Sequence, residues 1–287
     1  KSKKSLFNWN NRPWLKIYQI PFLPTGKEKS NIQELEIPKV NNFHGGPVTF
    51  TRQDKIIYFS HSQNLSKMSK SNIDHLGIYS ANKKQNKWTD LKPISFNNPS
   101  YSISHPTISD DGKEMYFVSD MPGGFGGTDI YYTRNSGYKW STPINVGPVI
   151  NTSEDELFPL LHKDGTLYFA SEGHNGYGGL DIFYSKFENG QWSKPTNMGK
   201  PVNSGFDDFG LILDKNKTNG YFSSNRLGGA GSDDIYRLVS LENIENLTSN
   251  ILKGTVKDKS TNHYIKNATI TFLDQNLKQI KVQTDHL

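Results

Sequence analysis

Apolar and polar residues alternate along this chain in short runs, and the runs return at a fixed interval. Met115-Tyr116-Phe117-Val118-Ser119 comes back as Leu167-Tyr168-Phe169-Ala170-Ser171 and again as Gly220-Tyr221-Phe222-Ser223-Ser224. A glycine-rich phrase ending in Asp-Ile follows each time: Gly126-Gly127-Thr128-Asp129-Ile130-Tyr131, then Gly178-Gly179-Leu180-Asp181-Ile182-Phe183, then Gly231-Ser232-Asp233-Asp234-Ile235-Tyr236. Trp88, Trp140 and Trp192 keep the same beat, 52 residues apart. Period-two alternation predicts half-buried strands. A repeat of about 40–55 residues carrying several such strands predicts the blade of a β-propeller.

Each full repeat reads as four strands. In the second, Pro106 to Ser109 and Glu114 to Ser119 flank Asp110-Asp111-Gly112-Lys113, where Asp-Gly between alternating runs predicts a hairpin turn. The third repeats that turn at Asp164-Gly165, and the fourth is expected to turn at Asn219-Gly220. Strand three starts at the Asp-Ile step. Strand four opens near the tryptophan, whose Trp-Ser-x-Pro setting (Trp140 to Pro143, Trp192 to Pro195) suits an outer edge strand able to cover the flank of the next blade. The first of these repeats keeps Ile56 to Ser60, Gly77 to Ser80 and Trp88, with glycine at 77 in place of aspartate. Upstream, Ser5 to Asn8, Leu15 to Ile20 and Ile32 to Ile37 read as strands two, three and four of an earlier, decayed blade.

The expected fold is therefore all-β: a five-bladed β-propeller with a degenerate first blade over residues 1–240, and a linker at 241–251. The opening strands of a truncated β-sandwich follow at 252–287, in Leu252 to Asp258, Ala268 to Leu273 and Gln279 to Val282. A complete sandwich needs about seven strands. Ring closure is expected to borrow a strand across the termini, since an open sheet edge invites unwanted pairing.

Composition narrows the chemistry. Hydrophobic content of 33% beside 25 glycines, 14 tyrosines and 16 phenylalanines suits short strands and turns. No run of some 18 apolar residues exists, so no helical membrane span is expected. The absence of cysteine excludes disulfides, thiolate zinc sites and cysteine nucleophiles. Residue 1 is a lysine with no signal peptide before it, which reads as a mature or trimmed fragment. The net charge of +5 is spread over scattered lysines, which reads as solvated surface and predicts no nucleic-acid partner.

Asp129, Asp181 and Asp234 repeat once per blade. Converging on an axis they would line a cation pocket; capping their own glycine-rich turns they would be scaffold, and a residue that recurs in every blade favours scaffold. Gly123 to Asp129 differs from the calcium-binding Gly-Gly-x-Gly-x-Asp nonapeptide by one position and by the length of its repeat, and Ser109 to Gly112 is not a sialidase Asp-box. There is no Gly-x-Ser-x-Gly elbow, and the eight histidines are isolated, His105 and His162 lying near first strands. Glu154-Asp155-Glu156 and Asp207-Asp208 are the pairing a glycosidase would need, two carboxylates about 5 to 9.5 Å apart, with charged loops as the alternative. Phe125 and Tyr177, each four residues before its aspartate and flanked by glycine, are the expected partner anchors, because aromatics dominate interface hot spots. No cofactor, metal or catalytic residue is assigned.

Taken together, Ser109 to Ser119, Gly123 to Tyr131 and Trp140 to Pro143, with their partial echoes, resemble the TolB-type propeller repeats of OmpA-family envelope proteins. Gly254-x-Val256-x-Asp258 and Ala268-x-Ile270-x-Phe272 resemble the carboxypeptidase-regulatory-like domain that follows the propeller there. The nearest resemblance is to the PorE-like lipoproteins of type IX secretion and gliding. It implies a periplasmic, outer-membrane-associated adaptor, lipid-anchored outside this sequence, that docks an outer-membrane barrel or secretion or gliding component. Peptidoglycan contact would come only through a domain absent from this sequence. A glycan-binding or glycan-cleaving five-bladed propeller is the alternative.

Overall fold

The computed structural model describes residues 15–19, 32–37, 45–51, 54–63, 75–137, 139–239 and 261, together with the backbone of 269–273 and 279–283. The chain divides into two compact units, Lys1–Thr248 and Ser249–Leu287. The strands expected at Ser5 to Asn8 and Leu252 to Asp258 and the linker at 241–251 lie outside the described residues. Among the described residues there is no α-helix, and no helix long and apolar enough to cross a membrane.

The first unit opens with a short antiparallel pair, β1 (Tyr18–Gln19) and β2 (Gln33–Glu34). Four antiparallel blades follow in chain order. Blade I is β3 (Gly45–Phe50), β4 (Ile56–Ser62), β5 (Leu76–Lys84) and β6 (Lys87–Pro93). Blade II is β7 (Ile103–Ile108), β8 (Glu114–Ser119), β9 (Asp129–Arg134) and the short β10 (Ile144–Asn145). Blade III is β11 (Glu156–Leu161), β12 (Thr166–Ser171) and β13 (Asp181–Glu188), with β14 (Gln191–Trp192) and β15 (Thr196–Asn197) both pairing β13. Blade IV shows three strands, β16 (Asp208–Leu213), β17 (Asn219–Ser224) and β18 (Asp234–Val239). The second unit shows one antiparallel pair, β19 (Thr269–Leu273) and β20 (Gln279–Gln283). The propeller thus shows four blades among the described residues, beside the short β1–β2 pair, where the sequence led to an expectation of five.

The apolar core is divided among the seams between blades, and every seam follows one rule. The isoleucine of strand three meets the Tyr-Phe strand of the following blade: Ile78 shares a cluster with Phe117, Ile130 with Phe169, and Ile182 with Phe222, and Ile17, just before β1, packs with Phe59. First strands of successive blades, β3 with β7, β7 with β11 and β11 with β16, lie against one another, which places them at the inner side.

The tryptophans belong to these seams, but they face the other way from the sequence expectation. Trp140 meets Tyr58 edge-on at 6.0 Å and Trp192 meets Tyr116 at 6.1 Å, each reaching back to the preceding blade. Trp88 likewise joins the cluster that holds Ile17 and Leu35. The outer strand of a twisted blade overlaps the neighbour already laid down, and the indole closes the outer end of that seam.

The fourth blade's turn is also displaced. Asn219 and Gly220 lie inside β17, and the reversal is made by Asp214 to Lys217, with Lys217 at φ +56°. The Asp214 carboxylate accepts the N–H groups of Asn216 and Thr218 and the Thr218 hydroxyl, an Asx turn that outcompetes the downstream Asn-Gly signal.

Candidate functional site

The glycine-rich loops between strands two and three are built around their aspartates. Asp129 accepts the backbone N–H of Phe125 at 2.6 Å and of Gly126 at 3.3 Å, and the Asn145 side-chain amide at 2.8 Å. Asp181 takes the N–H groups of Tyr177 and Gly178 at 2.6 and 3.1 Å, and Asp234 takes that of Gly231. Each carboxylate therefore closes its own loop. Among the described residues no group of three or more acidic or histidine side chains is arranged to hold a metal ion.

The loops also stitch each blade to the next. Gly127 donates its N–H to the Glu154 carbonyl, and Thr128 gives both its N–H (2.7 Å) and its hydroxyl (2.8 Å) to Asp155. One blade on, Leu180 donates to Asp207 at 3.1 Å. The first strand then joins edge-on: Glu156 donates its N–H to the Thr128 carbonyl, Asp208 to Leu180, and Gly45 to Leu15.

This accounts for the two acidic runs. Glu156 is fully buried and accepts the Thr152 N–H and hydroxyl and the Ser171 hydroxyl, while burial pushes its carboxyl above the ordinary range. Asp208, at the equivalent position, is fully buried and paired with Arg226. Asp155 and Asp207 bind backbone across the seams. Burial, followed by the charges of Asp155, Asp207 and Glu154, raises the carboxyl of the nearby Glu172.

The aromatic anchors differ from one another. Phe125 is 50% exposed although its loop backbone is pinned by Asp129. Tyr177 is half-buried with the Lys200 ammonium 5.9 Å from its ring centre, and the adjoining Phe206 is exposed.

Two repeated devices escaped the sequence reading. Asn97, Asn151 and Asn203 each clamp strand three by a two-way amide bond to one isoleucine: Ile78 (3.0 and 2.8 Å), Ile130 (2.8 and 2.9 Å) and Ile182 (2.8 and 2.8 Å). Their spacing of 54 and 52 residues was visible in the chain. The second device is a β-bulge in every first strand, between Gly45 and Val48, Ser104 and Thr107, Leu157 and Leu160, and Phe209 and Ile212. In three blades its third residue has positive φ: His105 at +50°, Phe158 at +50° and Gly210 at +65°. Bulges re-aim side chains, and here they bring rings together: His105 stacks on Phe158 at 4.0 Å, and Phe158 meets Phe209 at 5.0 Å.

His105 is consequently the most perturbed base of the inner strands. Its ring accepts the Phe158 N–H, and desolvation pushes its pKa down from 6.5 to about 4. The unfolded chain therefore binds a proton between pH 6.5 and 4 that the folded chain does not. Stability present above pH 6.5 is expected to fall by up to about 3 kcal/mol as the pH drops toward 4. His105→Asn, which tolerates positive φ, should flatten urea-unfolding midpoints across that window; an unchanged pH profile in the variant would contradict the assignment. Asp164 acts elsewhere on the scale: burial raises its carboxyl, but bonds from Lys217 and His162 outweigh this and hold it below the ordinary range. Its contribution is lost only at lower pH.

No family model matches the chain, and no curated protein matches it. Among solved structures it is similar to TolB from Acinetobacter baumannii, at 14% identity and a TM-score of 0.48, over 74% of this chain and 44% of that one. It is also similar to the tricorn protease, at 10% identity and a TM-score of 0.46 over 75% of this chain and 23% of that one. A third is the α-L-arabinofuranosidase from Lactobacillus brevis, at 12% and 0.41 over 63% and 68%. The chain thus spans less than half of the TolB chain, and its identification as a propeller rests on the blade topology and the repeated seams.

Proposed function

We propose that this chain is a non-catalytic docking module of the bacterial envelope: a periplasmic adaptor whose propeller binds an outer-membrane barrel or a secretion or gliding component. In this reading peptidoglycan is reached only through a domain outside this sequence. The propeller has five blades, β1 and β2 belonging to the degenerate first one, and β19 and β20 belong to a small carboxypeptidase-regulatory-like sandwich. Support for the blade count comes from the Gly45 N–H on the Leu15 carbonyl, which repeats the bond of Glu156 on Thr128 and of Asp208 on Leu180.

The observation that carries the docking role is Phe125. A large aromatic is held half-exposed on a loop whose backbone is already bonded to Asp129 and to the next blade, so little ordering entropy remains to be lost on binding. Meanwhile four of the five carboxylates weighed for a glycosidase, Asp155, Glu156, Asp207 and Asp208, are bonded within the scaffold.

The test is cross-linking mass spectrometry on gently solubilised envelopes, comparing the native chain with a Phe125→Ser/Tyr177→Ser variant. The expected result is a set of cross-links from the 123–129 and 175–181 loops to an outer-membrane or secretion protein. Capture should fall at least about tenfold in the variant, the loss of one hot-spot residue, with thermal stability retained. Equal capture by the variant would overturn the assignment of these anchors. A clean preparation without a protein partner would overturn the docking role and turn attention to glycans.

A further inference from the structure

The turns between first and second strands lie at the end of each blade away from the glycine-rich loops. At that end two neighbouring seams share one slot, made by a second-strand tyrosine of the preceding blade and the aspartate of its turn. Tyr116 and Asp111 form it between blades II and III, Tyr168 and Asp164 between blades III and IV. The two aspartates do the same local work, accepting the N–H groups of Lys113 and Thr166 two residues on.

Between blades III and IV the slot is filled from within. The turn of blade IV, residues 214–218, is one residue longer than that of blade III, residues 162–165. It carries Lys217 across the seam, with the ammonium 2.7 Å from the Asp164 carboxylate and 5.6 Å from the centre of the Tyr168 ring. Blade I shows a related arrangement. Lys83 stands opposite Trp88 on the β5–β6 ladder, its ammonium 5.5 Å from the indole centre. A cation over an aromatic face is attracted by the ring quadrupole, and the neighbouring carboxylate adds to the attraction.

Between blades II and III, among the described residues, no lysine stands over Tyr116 or Trp192. The residue opposite Trp192 is Phe187, which is 55% exposed and 5.1 Å from the indole. A cavity of about 830 Å³ opens here, with Tyr116, Tyr132, Phe187 and Trp192 as its aromatic wall and Asp111 and Glu114 as acceptors. Ligand sites commonly measure about 300–1,000 Å³. The basic groups around it do not fill the slot. Arg134 is paired with Glu114 at 3.0 Å, and the Lys113 ammonium lies 3.7 Å from Asp111 in an exposed, weak pair. The exposed rim charges Asp110 and Lys163 offset each other.

We infer that this cavity binds a lysine side chain presented by an extended segment of a partner protein. Its ammonium takes the place at Tyr116 and Asp111 that Lys217 takes at Tyr168 and Asp164, and its methylene stem lies along Phe187 and Trp192. The site is at the opposite end of the blades from Phe125 and Tyr177, so it does not depend on the docking role assigned to them.

The purified full-length chain would be titrated by calorimetry with an acetylated, amidated Gly-Lys-Gly-Lys-Gly peptide and with its glutamine analogue. The lysine peptide is expected to saturate with a dissociation constant of about 1 mM or tighter, and the glutamine peptide to bind at least about tenfold more weakly. The protein itself carries a net charge of +5, so overall attraction does not favour a cationic peptide. Phe187→Ser and Asp111→Asn alter exposed side chains and should keep the native Tm while each weakens the lysine peptide at least about threefold. Phe125→Ser/Tyr177→Ser should leave its affinity unchanged. Equal affinity for the two peptides would overturn the inference, as would an affinity that neither Phe187→Ser nor Asp111→Asn alters. Saturable binding of chitohexaose without binding of the lysine peptide would also overturn it and assign the aromatic wall to a sugar. So would the absence of any binding at about 10 mM probe.

Discussion

Gly178→Ala is expected to destabilise the propeller by about 3 kcal/mol, while Gly205→Ala, on the facing strand of backbone, is expected to be neutral. A Cβ on Gly178 would lie 2.6 Å from both the Gly205 carbonyl carbon and the Phe206 nitrogen, and against the Phe206 oxygen as well. All three atoms are backbone of the next blade, and no side chain can rotate away to make room. Gly126 repeats the situation against Thr152, Ser153 and Glu154, with the Ser153 carbon 2.6 Å away. At Gly126 and Gly178 the loop needs glycine because two backbones touch across a seam; at Gly124, Gly127, Gly176 and Gly179 a Cβ would instead meet an aspartate side chain. Relief requires the blades to part, and that would break the Leu180 and Asp208 bonds described above. A Cβ on Gly205 meets nothing nearer than the Tyr177 oxygen at 4.0 Å, and its backbone is not in the left-handed region. At about 2–4 °C per kcal/mol for a unit of this size, Gly178→Ala should lower Tm by about 6–12 °C in a thermal melt, against no loss for Gly205→Ala. Equal Tm values for the two variants would refute the contact.

How legible these features were depends on whether the chemistry repeats along with the geometry. The Tyr-Phe strands, the Asp-Ile steps and the tryptophans recur as residues, so the blade architecture could be read from the chain. The bulge in the first strands recurs as a backbone shape only. Its third position is Pro47, His105, Phe158 and Gly210 in turn, and nothing in those four side chains announces a common positive φ in the last three. The stacked rings at the inner strands were hidden for the same reason. The tryptophans could be placed on outer strands, but alternation along one strand does not say which neighbour lies beneath it, and they cover the preceding blade. Asn-Gly at 219–220 carried a strong local turn signal, yet Asp214 offers four acceptor contacts to the loop before it, and the longer Asx turn prevails. In the candidate site the sequence located the loops and their aromatics. It did not reveal that the same loops bind Asp155 and Asp207 of the next blade, because those bonds join residues 27 positions apart.

The buried carboxylates at the start of the first strands offer the second large effect, because two blades solve one problem by different means. Glu156 and Asp208 are equivalent, and both are fully buried. Glu156 is satisfied by neutral donors, the hydroxyls of Thr152 and Ser171 and one backbone N–H, and burial raises its pKa. Asp208 is held by the Ser204 hydroxyl and N–H and by the Arg226 guanidinium. Arg226 in turn lies 5.1 Å from the Phe222 ring centre and 4.8 Å from that of Tyr236, and it donates to the Pro201 and Val202 carbonyls. Removing the guanidinium would strand a charge with no route to water, at a cost of about 3–5 kcal/mol. Arg226→Met should therefore be among the most destabilising changes in blade IV. Arg226→Met/Asp208→Asn should recover part of that loss, since a neutral amide no longer needs the cation. Glu156→Gln should cost little, its donors being neutral already. Urea denaturation of the four proteins at pH 7 separates these cases. If the double variant proved no more stable than Arg226→Met, the cost would lie in the stacking of the guanidinium on Phe222 and Tyr236 and not in the buried charge. The opposite result would identify blade IV as the blade in which an ion pair does what serine and threonine hydroxyls do in blade III.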